Sequence, residues 1–311
     1  MRLVNVSRIF FDGNHNAFTD ICHFKGDYYV TFRHSSRHIH KDGRALVLRG
    51  LDGGRRWMVV GTVYAGIDTR DPKFMVAGDR LFVYAFSFQY GENKKRIKAS
   101  GYSVTTDGDH WTPWQKIEDD WVYWHPRWHD GRAYVIAYRE ADGKVMFKTS
   151  GDGVKWEDVC IVCEEGTPNE TSLVFGRNGQ AIALIRRAHE SGHPFLSRSA
   201  PPYTKWEHTE IQEKLNNPLL WWVGEELWAC CRWYAPSGQP AAAVFKFDGD
   251  RPVLQVVLPS AGDTAYAGVV QRPDKPNGYL LSYYSSHDCL TEWRPEGPIP
   301  SGIYLAELEL P

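Results

Sequence analysis

The chain has 311 residues, with 36 Lys and Arg against 38 Asp and Glu, a formal net charge of −2 and no long run of one sign. This balance argues against a nucleic-acid-binding surface and a polybasic membrane anchor. Hydrophobic residues make up 42% of the chain, but uninterrupted apolar stretches reach only about seven residues, far short of a membrane-spanning helix. We expect a globular protein without nucleic-acid or membrane partners; its oligomeric state stays open.

The N-terminal segment Met-Arg-Leu-Val-Asn-Val-Ser lacks the apolar core of a secretory signal peptide. On this basis we expect a cytoplasmic protein. A secreted protein from which the signal had been removed would begin in the same way, so secretion stays open as the alternative.

A repeat of about fifty residues runs along the whole chain. Each repeat contains an apolar strand, a turn centred on glycine and a second apolar strand. The turn glycines lie 45 to 54 residues apart and are Gly26, Gly78, Gly131, Gly179, Gly224 and Gly278. This period, built from short strands, is typical of a β-propeller. We predict an all-β fold, a single six-bladed β-propeller domain over residues 1–311.

The sixth repeat is one strand short. Its third strand is predicted at residues 303–308, and the N-terminal segment 3–10 is available to pair with it. Pairing of this kind closes the ring and removes the exposed sheet edges. We therefore predict that the N-terminal strand completes the last blade.

Antiparallel pairing places the start of the first strand and the end of the second on one face of the disc. In chain order these segments are Phe18–Asp20 with Phe32–Arg33, Arg70–Pro72 with Ala85–Ser87, Trp124–Pro126 with Tyr138–Glu140, Asn169–Thr171 with Ile185–Arg187, Asn217–Pro218 with Cys231–Arg232, and Asp263–Tyr266 with Ser282–Tyr284. Charged, tyrosine and histidine side chains concentrate there, whereas the opposite strand ends carry plain turns. The asymmetry predicts a functional site on this face.

The site residues predicted on this face combine cations, carboxylates and rings. The candidate substrate-binding residues are Arg33, Arg70, Arg186, Arg232, His38, His125, Tyr283 and Asp263. Several arginines suit an acidic sugar, because a planar guanidinium binds a carboxylate through two parallel hydrogen bonds. The long segment 285–301 is predicted to cap the pocket.

No metal or cofactor is predicted. His34, His38 and His40 lie close together in the loop after the second strand, but no adjacent carboxylate or cysteine completes a set of metal ligands. Contacts to sugar hydroxyl or carboxylate groups are the preferred interpretation for these histidines, with a solvated loop for His40.

Several motifs link the chain to a known family. Segments Asp52–Trp57, Asp107–Trp111 and Ser150–Trp156 resemble the Asp-box, and Ser199–Trp206 keeps only its Ser and Trp. Together with the ordered motifs Arg70–Phe74, Asn169–Thr171, Ala183–Arg187 and Asp263–Tyr266, they make the chain resemble the six-bladed sialidase superfamily, in particular bacterial sialidase-like and exo-α-sialidase-like proteins. The resemblance spans nearly the whole chain and implies a glycoside hydrolase whose partner is a small-molecule glycan. The Asp-boxes are expected to be structural.

The resemblance also implies catalytic roles. Tyr266 matches the sialidase nucleophile, Glu170 the glutamate that polarises it, and Arg186 and Arg232 the second and third arginines of the carboxylate clamp. A phenol has a pKa near about 10, so it needs an adjacent base to act as a nucleophile. We expect Tyr266 and Glu170 to lie within hydrogen-bond reach across the channel.

Two parts of the sialidase pattern are not matched. Phe18-Thr19-Asp20 stands where the first arginine is expected, and Arg33 or Arg70 could fill the gap from a neighbouring strand. The usual acid/base loop also differs. Asp71 and Asp20 are the remaining candidates for the catalytic acid, and Asp71 is preferred.

The leading hypothesis is an exo-acting glycoside hydrolase that releases a terminal acidic sugar, sialic acid or a related nonulosonic acid, by a retaining mechanism. A neutral-sugar glycosidase or a polysaccharide lyase on the same scaffold is the alternative, and a non-catalytic glycan-binding propeller is a third possibility. Because propellers host many functions, the fold alone does not decide among them.

Overall fold

The computed structural model describes residues 1–91, 96–188, 191–289 and 300–310, and the regular structure of these residues is β-strand. In chain order the strands are β1 (Arg2–Phe10), β2 (His15–Phe24), β3 (Asp27–Ser35), β4 (Arg44–Leu51), β5 (Arg56–Val63), β6 (Thr69–Ala77), β7 (Arg80–Tyr90), β8 (Arg96–Thr105), β9 (Gln115–Asp119), β10 (Arg127–His129), β11 (Arg132–Arg139), β12 (Lys144–Ser150), β13 (Glu157–Cys163), β14 (Pro168–Phe175), β15 (Ala181–Arg187), β16 (Phe195–Ser199), β17 (Glu207–Glu210), β18 (Leu215–Val223), β19 (Glu226–Tyr234), β20 (Pro240–Asp248), β21 (Arg251–Val257), β22 (Ala265–Arg272), β23 (Lys275–Ser285) and β24 (Gly302–Glu309). Within the described ranges, no helix has the length and apolar character needed to span a membrane.

These strands form six antiparallel sheets of four strands each. Five sheets follow the chain order, β2 to β5, β6 to β9, β10 to β13, β14 to β17 and β18 to β21, and the sixth has the order β1-β24-β23-β22. The innermost strands β2, β6, β10, β14, β18 and β22 contact one another in sequence around the ring, and β22 contacts β2. The predicted all-β, six-bladed propeller is confirmed, as is its closure by the N-terminal strand, which pairs with β24.

The outer turns carry the tryptophan motifs away from the channel. In blade three the Asp152 carboxylate accepts the backbone N–H of Lys155 at 2.8 Å, and Trp156 Nε1 donates to the Gly153 carbonyl at 3.2 Å. The Trp156 ring packs edge-on against Tyr84 of blade two, with the ring centroids 6.1 Å apart. In this blade the motif therefore orders its turn and joins it to the neighbouring blade.

Inner strands share an irregularity near their first residues. In blades one, two, four, five and six, two inner-strand residues stand opposite one residue of the next strand, which is a β-bulge. Four bulge residues have left-handed backbone conformations, Phe18 (φ 63°), Asp71 (φ 50°), Asn217 (φ 52°) and Tyr266 (φ 49°), and His125 of blade three (φ 53°) shares this conformation. Such conformations cost about 1–3 kcal/mol each and are concentrated at functional sites.

Candidate active site

Side chains from the bulges converge at the mouth of the channel. The Tyr266 ring of blade six lies 4.7 Å from the Phe18 ring of blade one and 5.3 Å from the Trp124 ring of blade three, measured between centroids. Glu170 of blade four and Asn217 of blade five complete the group through hydrogen bonds described below. Five blades contribute to this group and blade two adds Asp71 beside it, so no single repeat could form the site.

Tyr266 and Glu170 form the centre of the site. The Tyr266 hydroxyl donates to Glu170 Oε1 at 2.6 Å. The other carboxylate oxygen accepts from Asn217 Nδ2 at 2.6 Å and from Arg186 NH1 at 3.1 Å. With 9% and 5% of their surfaces exposed, Tyr266 and Glu170 are both buried. The glutamate is therefore fixed with one oxygen directed at the phenol, as the resemblance implies.

The surroundings of Tyr266 keep its phenol protonated. Burial raises the pKa of Tyr266 well above its usual range, and the negative charges of Glu170 and Asp71 raise it further, while Arg232 opposes them. A phenol in this state becomes nucleophilic only when a base removes its proton during the reaction. Glu170 is the group in contact with that proton.

Asp71 is a second buried carboxyl beside this pair. Its Oδ1 is buried and has no hydrogen-bond partner among the described residues. Burial raises the pKa of Asp71 to about 6, with a further contribution from the negative charge of Glu170, although Arg70 opposes the shift. A carboxyl group with this pKa keeps its proton up to about pH 6, well above an ordinary aspartate, and can transfer it, which is what a general acid requires.

Three arginines surround the central pair. Arg186 contacts Glu170, and Arg232 lies 5.7 Å over the Tyr266 ring while its NH2 donates to Asp263 Oδ1 at 2.6 Å. Arg70 lies 5.0 Å over the Phe18 ring. Of the two arginines proposed to replace the missing one, it is Arg70 that comes beside Phe18.

Arg33 is placed differently from its prediction. Its side chain is fully buried, Nε donates to Asp68 Oδ1 at 2.8 Å, and NH1 donates to the Arg37 carbonyl at 3.0 Å. Asp68 also pairs with Arg70, at 3.2 Å. Because β3 places Arg33 in the contact between blades one and two, its side chain is not open to a substrate. Arg33 instead helps to hold Asp68, which pairs with Arg70.

We expect Asp68→Ala to destabilise the fold by about 3–5 kcal/mol, because the variant leaves the buried Arg33 charge without its carboxylate. Urea unfolding measures the difference. The matched control is Asp109→Ala, which breaks the exposed pair with Arg49 (2.9 Å) and should cost less than about 1 kcal/mol. Equal losses in the two variants would show that burial of the Asp68 pair is unimportant.

Asp20 and His125 form a separate pair of buried groups. The Asp20 carboxylate accepts the backbone N–H groups of Ile21 (2.9 Å) and Phe74 (2.8 Å), and His125 Nε2 lies 3.5 Å from it. Although burial alone would raise the pKa of Asp20, His125 and the positive charge of Lys73 hold it below its usual value. Asp20 therefore stays ionised and holds backbone, so Asp71 is the better-placed acid.

His125 is an unsuitable group for proton transfer to a substrate. It is 1% exposed, and burial, together with the Arg127 charge, lowers the pKa of His125 to about 3. The ring is neutral at physiological pH and is separated from solvent. The prediction that it contacts substrate is not supported by this position.

Tyr283 was predicted at the site, but its neighbour occupies that place. The Tyr283 hydroxyl donates to the Pro259 carbonyl at 2.9 Å, and its ring packs on Tyr304 in the apolar core between blades. Successive residues of a strand point to opposite faces, so Tyr284 faces the channel instead. There its hydroxyl accepts from Arg232 NH2 at 3.2 Å.

His38 and Asp263 meet at the rim with a residue that the sequence analysis did not consider. His38 Nδ1 lies 3.2 Å from Asp263 Oδ2, and His15 Nε2 lies 3.3 Å from each of these atoms. Of the residues that the structure describes, these three are the group able to hold a metal ion.

The predicted capping segment falls largely on residues 290–299, which lie outside the described residues.

Some residues of the site escaped sequence reasoning. Asn217 was placed on this face of the disc but not named as a site residue, and His15 was not placed there, because their partners Glu170 and Asp263 lie 47 and 248 positions away. One usable signal was present. Asn217-Pro218 repeats the pattern of Asp71-Pro72 at the equivalent bulge, which places both side chains at the channel mouth.

Comparison with known proteins supports the fold and leaves the family open. No protein-family model and no curated protein matches the chain. A Dyadobacter fermentans protein of unknown function is similar in structure, with a TM-score of 0.80, 16% identity and coverage of 100% of this chain and 99% of the other.

Two enzymes with solved structures share the architecture over nearly their whole length. Penicillium chrysogenum α-L-arabinanase, complexed with arabinobiose, gives a TM-score of 0.73 at 11% identity and 99% coverage of both chains. The intramolecular trans-sialidase of Ruminococcus gnavus, in complex with oseltamivir carboxylate, gives a TM-score of 0.67 at 12% identity, with 98% of this chain and 97% of the other covered. The chain therefore has the fold of six-bladed β-propeller glycosidases.

Proposed function

We propose that the protein is an exo-acting glycoside hydrolase that releases a terminal acidic sugar with retention of configuration. The observation that carries the proposal is the 2.6 Å hydrogen bond from the Tyr266 hydroxyl to Glu170, with Asp71 as a nearby buried acid. The glycosidases that share the fold, a trans-sialidase among them, are consistent with it.

In the first step, Glu170 accepts the phenolic proton as the Tyr266 oxygen attacks the anomeric carbon. The glycosidic bond breaks, and Asp71 gives its proton to the departing oxygen. In the second step, Asp71 accepts a proton from water, which attacks the same carbon. The bond to Tyr266 breaks, and Glu170 returns its proton to the phenolate. Two inversions at one carbon give net retention.

The charges around the site favour an acidic sugar. A carboxylate on the substrate would repel an anionic nucleophile, whereas the protonated Tyr266 approaches as a neutral group. Arg186 contacts Glu170 and Arg70 lies over the Phe18 ring, and we assign both guanidinium groups to the substrate carboxylate. Trp124 and Phe18, each 1% exposed, pack against the Tyr266 ring and hold it in place for the attack.

A neutral-sugar glycosidase is the second candidate. Phe18 replaces one arginine of the sialidase pattern, and Asp263 neutralises Arg232 through a 2.6 Å ion pair, so fewer free cations face the substrate. The similarity to an arabinanase agrees with this possibility. In this version Glu170 itself would act as the nucleophile, as carboxylates do in most retaining glycosidases.

A panel of aryl glycosides distinguishes the two candidates. The panel contains sialic acid, another nonulosonic acid, glucuronic acid and arabinofuranose, and release of the phenol is followed by absorbance. Turnover of the acidic members supports the proposal, and turnover of arabinofuranoside alone would replace it with the second candidate. A lyase would instead cleave a 4-linked uronate oligosaccharide by eliminating the sugar on C4, and absorbance of the unsaturated uronate product would show it.

We expect Arg186→Lys to raise KM for an acidic aryl glycoside by about tenfold to a hundredfold, because lysine cannot form a bidentate pair with a carboxylate. Steady-state kinetics measure the effect. Arg139→Lys is the control, since Arg139 pairs with Asp142 at 2.6 Å on the surface and should leave KM unchanged. An unchanged KM in Arg186→Lys would mean that this arginine only orients Glu170.

A further inference from the structure

Three ligand-type atoms meet at the rim of the channel in a nearly equilateral triangle. His15 Nε2, His38 Nδ1 and Asp263 Oδ2 are 3.2–3.3 Å apart along every edge. They come from β2, from the loop after β3 and from the segment before β22. Only the closure of the ring brings the first and last blades together here, so the cluster cannot arise from local sequence.

Hydrogen bonding alone does not satisfy this triangle. If both imidazole nitrogens carry protons toward Asp263, two N–H donors face each other across the His15–His38 edge. If only one nitrogen carries a proton, two lone pairs face each other across another edge. With Asp263 as a carboxylate, every assignment of protons leaves one edge unfavourable, whereas a cation bound to all three atoms makes favourable contacts with each.

The dimensions fit a tetrahedral metal ion. Zinc binds imidazole nitrogen and carboxylate oxygen at about 2.0–2.1 Å, and tetrahedral geometry then separates neighbouring ligand atoms by about 3.3–3.4 Å. A facial set on an octahedral ion at the same bond length would require a shorter separation of about 2.9 Å. The observed edges are nearer to the tetrahedral value.

The surroundings prepare the three groups for this role. His15 is buried at 5% exposure, and its Nε2 faces the cluster. Arg232 Nη2 donates a hydrogen bond to Asp263 Oδ1 at 2.6 Å, so the other carboxylate oxygen, Oδ2, is the one that faces the two imidazole rings. The side chains of His38 and Asp263 keep 53% and 31% of their surfaces exposed, so the side of the triangle away from His15 is open.

We propose that His15, His38 and Asp263 bind a zinc ion whose fourth coordination position is open and takes an anionic oxygen ligand. Three protein ligands with one open position are the arrangement of zinc ions that bind exogenous molecules, whereas structural zinc ions have four protein ligands. The proposal of metal binding does not depend on the proposed function. We further assign the oxygen ligand to the carboxylate of a sugar acid, and this assignment rests on the proposed function.

Titration calorimetry of chelator-treated protein with Zn²⁺ tests the site, and visible absorption with Co²⁺ reports a tetrahedral geometry. We expect one ion per chain. His38→Ala should weaken binding at least about a hundredfold, since even the outer partners of metal ligands contribute ten- to a hundredfold. His40→Ala is the matched control: a histidine of the same loop, paired with Asp42 at 3.0 Å, whose loss should leave the affinity unchanged.

Failure to bind either ion by the folded protein would overturn the proposal. Binding that survives both His38→Ala and Asp263→Asn would do the same, because the ion would then occupy another site. Thermal unfolding of each variant confirms that the fold is kept.

The open position is tested by adding sialic acid or glucuronic acid to the Co²⁺ form. A shift of the visible bands supports an oxygen ligand at the metal, and unchanged bands contradict that part alone. Because no hydrolysis is needed for this readout, it separates the metal site from the proposed reaction.

Discussion

Replacing Tyr266 with phenylalanine is expected to lower kcat by at least about a thousandfold on the member of the aryl glycoside panel that is turned over best. The variant removes the oxygen that attacks the anomeric carbon in the proposed mechanism, and it keeps the ring that packs against Phe18 and Trp124. The fold should therefore be retained, and the loss should appear in kcat rather than in KM. Steady-state kinetics with circular dichroism of the variant measure both.

Tyr283→Phe is the matched control for this experiment. It removes a buried hydroxyl from the neighbouring strand of the same blade, where the partner is the Pro259 carbonyl and not the site. We expect near-normal kcat and a modest loss of stability from this variant. A mechanism-based fluorosugar should label Tyr266, as mass spectrometry of the digested protein would show. Label on Glu170, or full activity of Tyr266→Phe, would favour a carboxylate nucleophile.

Much of the fold could be predicted because the sequence of a propeller repeats once per blade. Glycine turns recur once per blade, and each blade needs the same antiparallel unit, so errors in one repeat are corrected by the others. Closure by residues 2–10 followed from counting strands in the last repeat. The bulges at Phe18, Asp71 and Tyr266 could not be predicted, because inner strands such as β2 and β6 are buried on both faces, so a change in the phase of alternation leaves no mark in their hydrophobic pattern.

The site was predictable where strand position alone decides the outcome. Tyr266, Glu170 and Asp71 lie at the starts of inner strands, and all three reach the channel mouth. Predictions failed where the direction of a side chain decides. Arg33 turns into the contact with Asp68, and Tyr283 points away from the channel while Tyr284 points into it. Alternation along a strand was known, but the bulges and the packing that fix its phase were not.

The site is held together at a cost to the fold. Glu170 is satisfied by Tyr266, Asn217 and Arg186, so its burial is compensated. Asp71 differs, because one of its oxygens is buried without a partner and its backbone is left-handed. Asp71 therefore destabilises the fold while lying beside the central pair. This is expected of a residue that is kept for activity at the expense of stability. The difference between Glu170 and Asp71 gives that idea a specific test.

Asp71→Asn is expected to stabilise the protein at pH 7 by on the order of 3 kcal/mol while lowering its activity. The raised pKa of Asp71, about 6 against about 4 in an unfolded chain, means that ionising it favours unfolding by about 1.4 kcal/mol for each pKa unit. Asparagine keeps the shape and removes the charge. Urea unfolding measures the gain, and kcat/KM on a glycoside with a poor leaving group should fall about a hundredfold or more.

The pH dependence separates this explanation from a general packing effect. Below about pH 4 Asp71 is protonated in both the folded and the unfolded chain, so wild type and variant should have nearly equal stability. From about pH 4 to 6 the unfolded chain loses this proton while the folded chain keeps it, so wild-type stability falls as pH rises; above about pH 6 the gap is constant. The same titration should make wild-type kcat/KM decline above about pH 6, and Asp71→Asn should lack that decline. A stability gap that does not change between pH 4 and 7 would show that the Asp71 charge is not what destabilises the fold, and its role as the proton donor would then lose its physical basis.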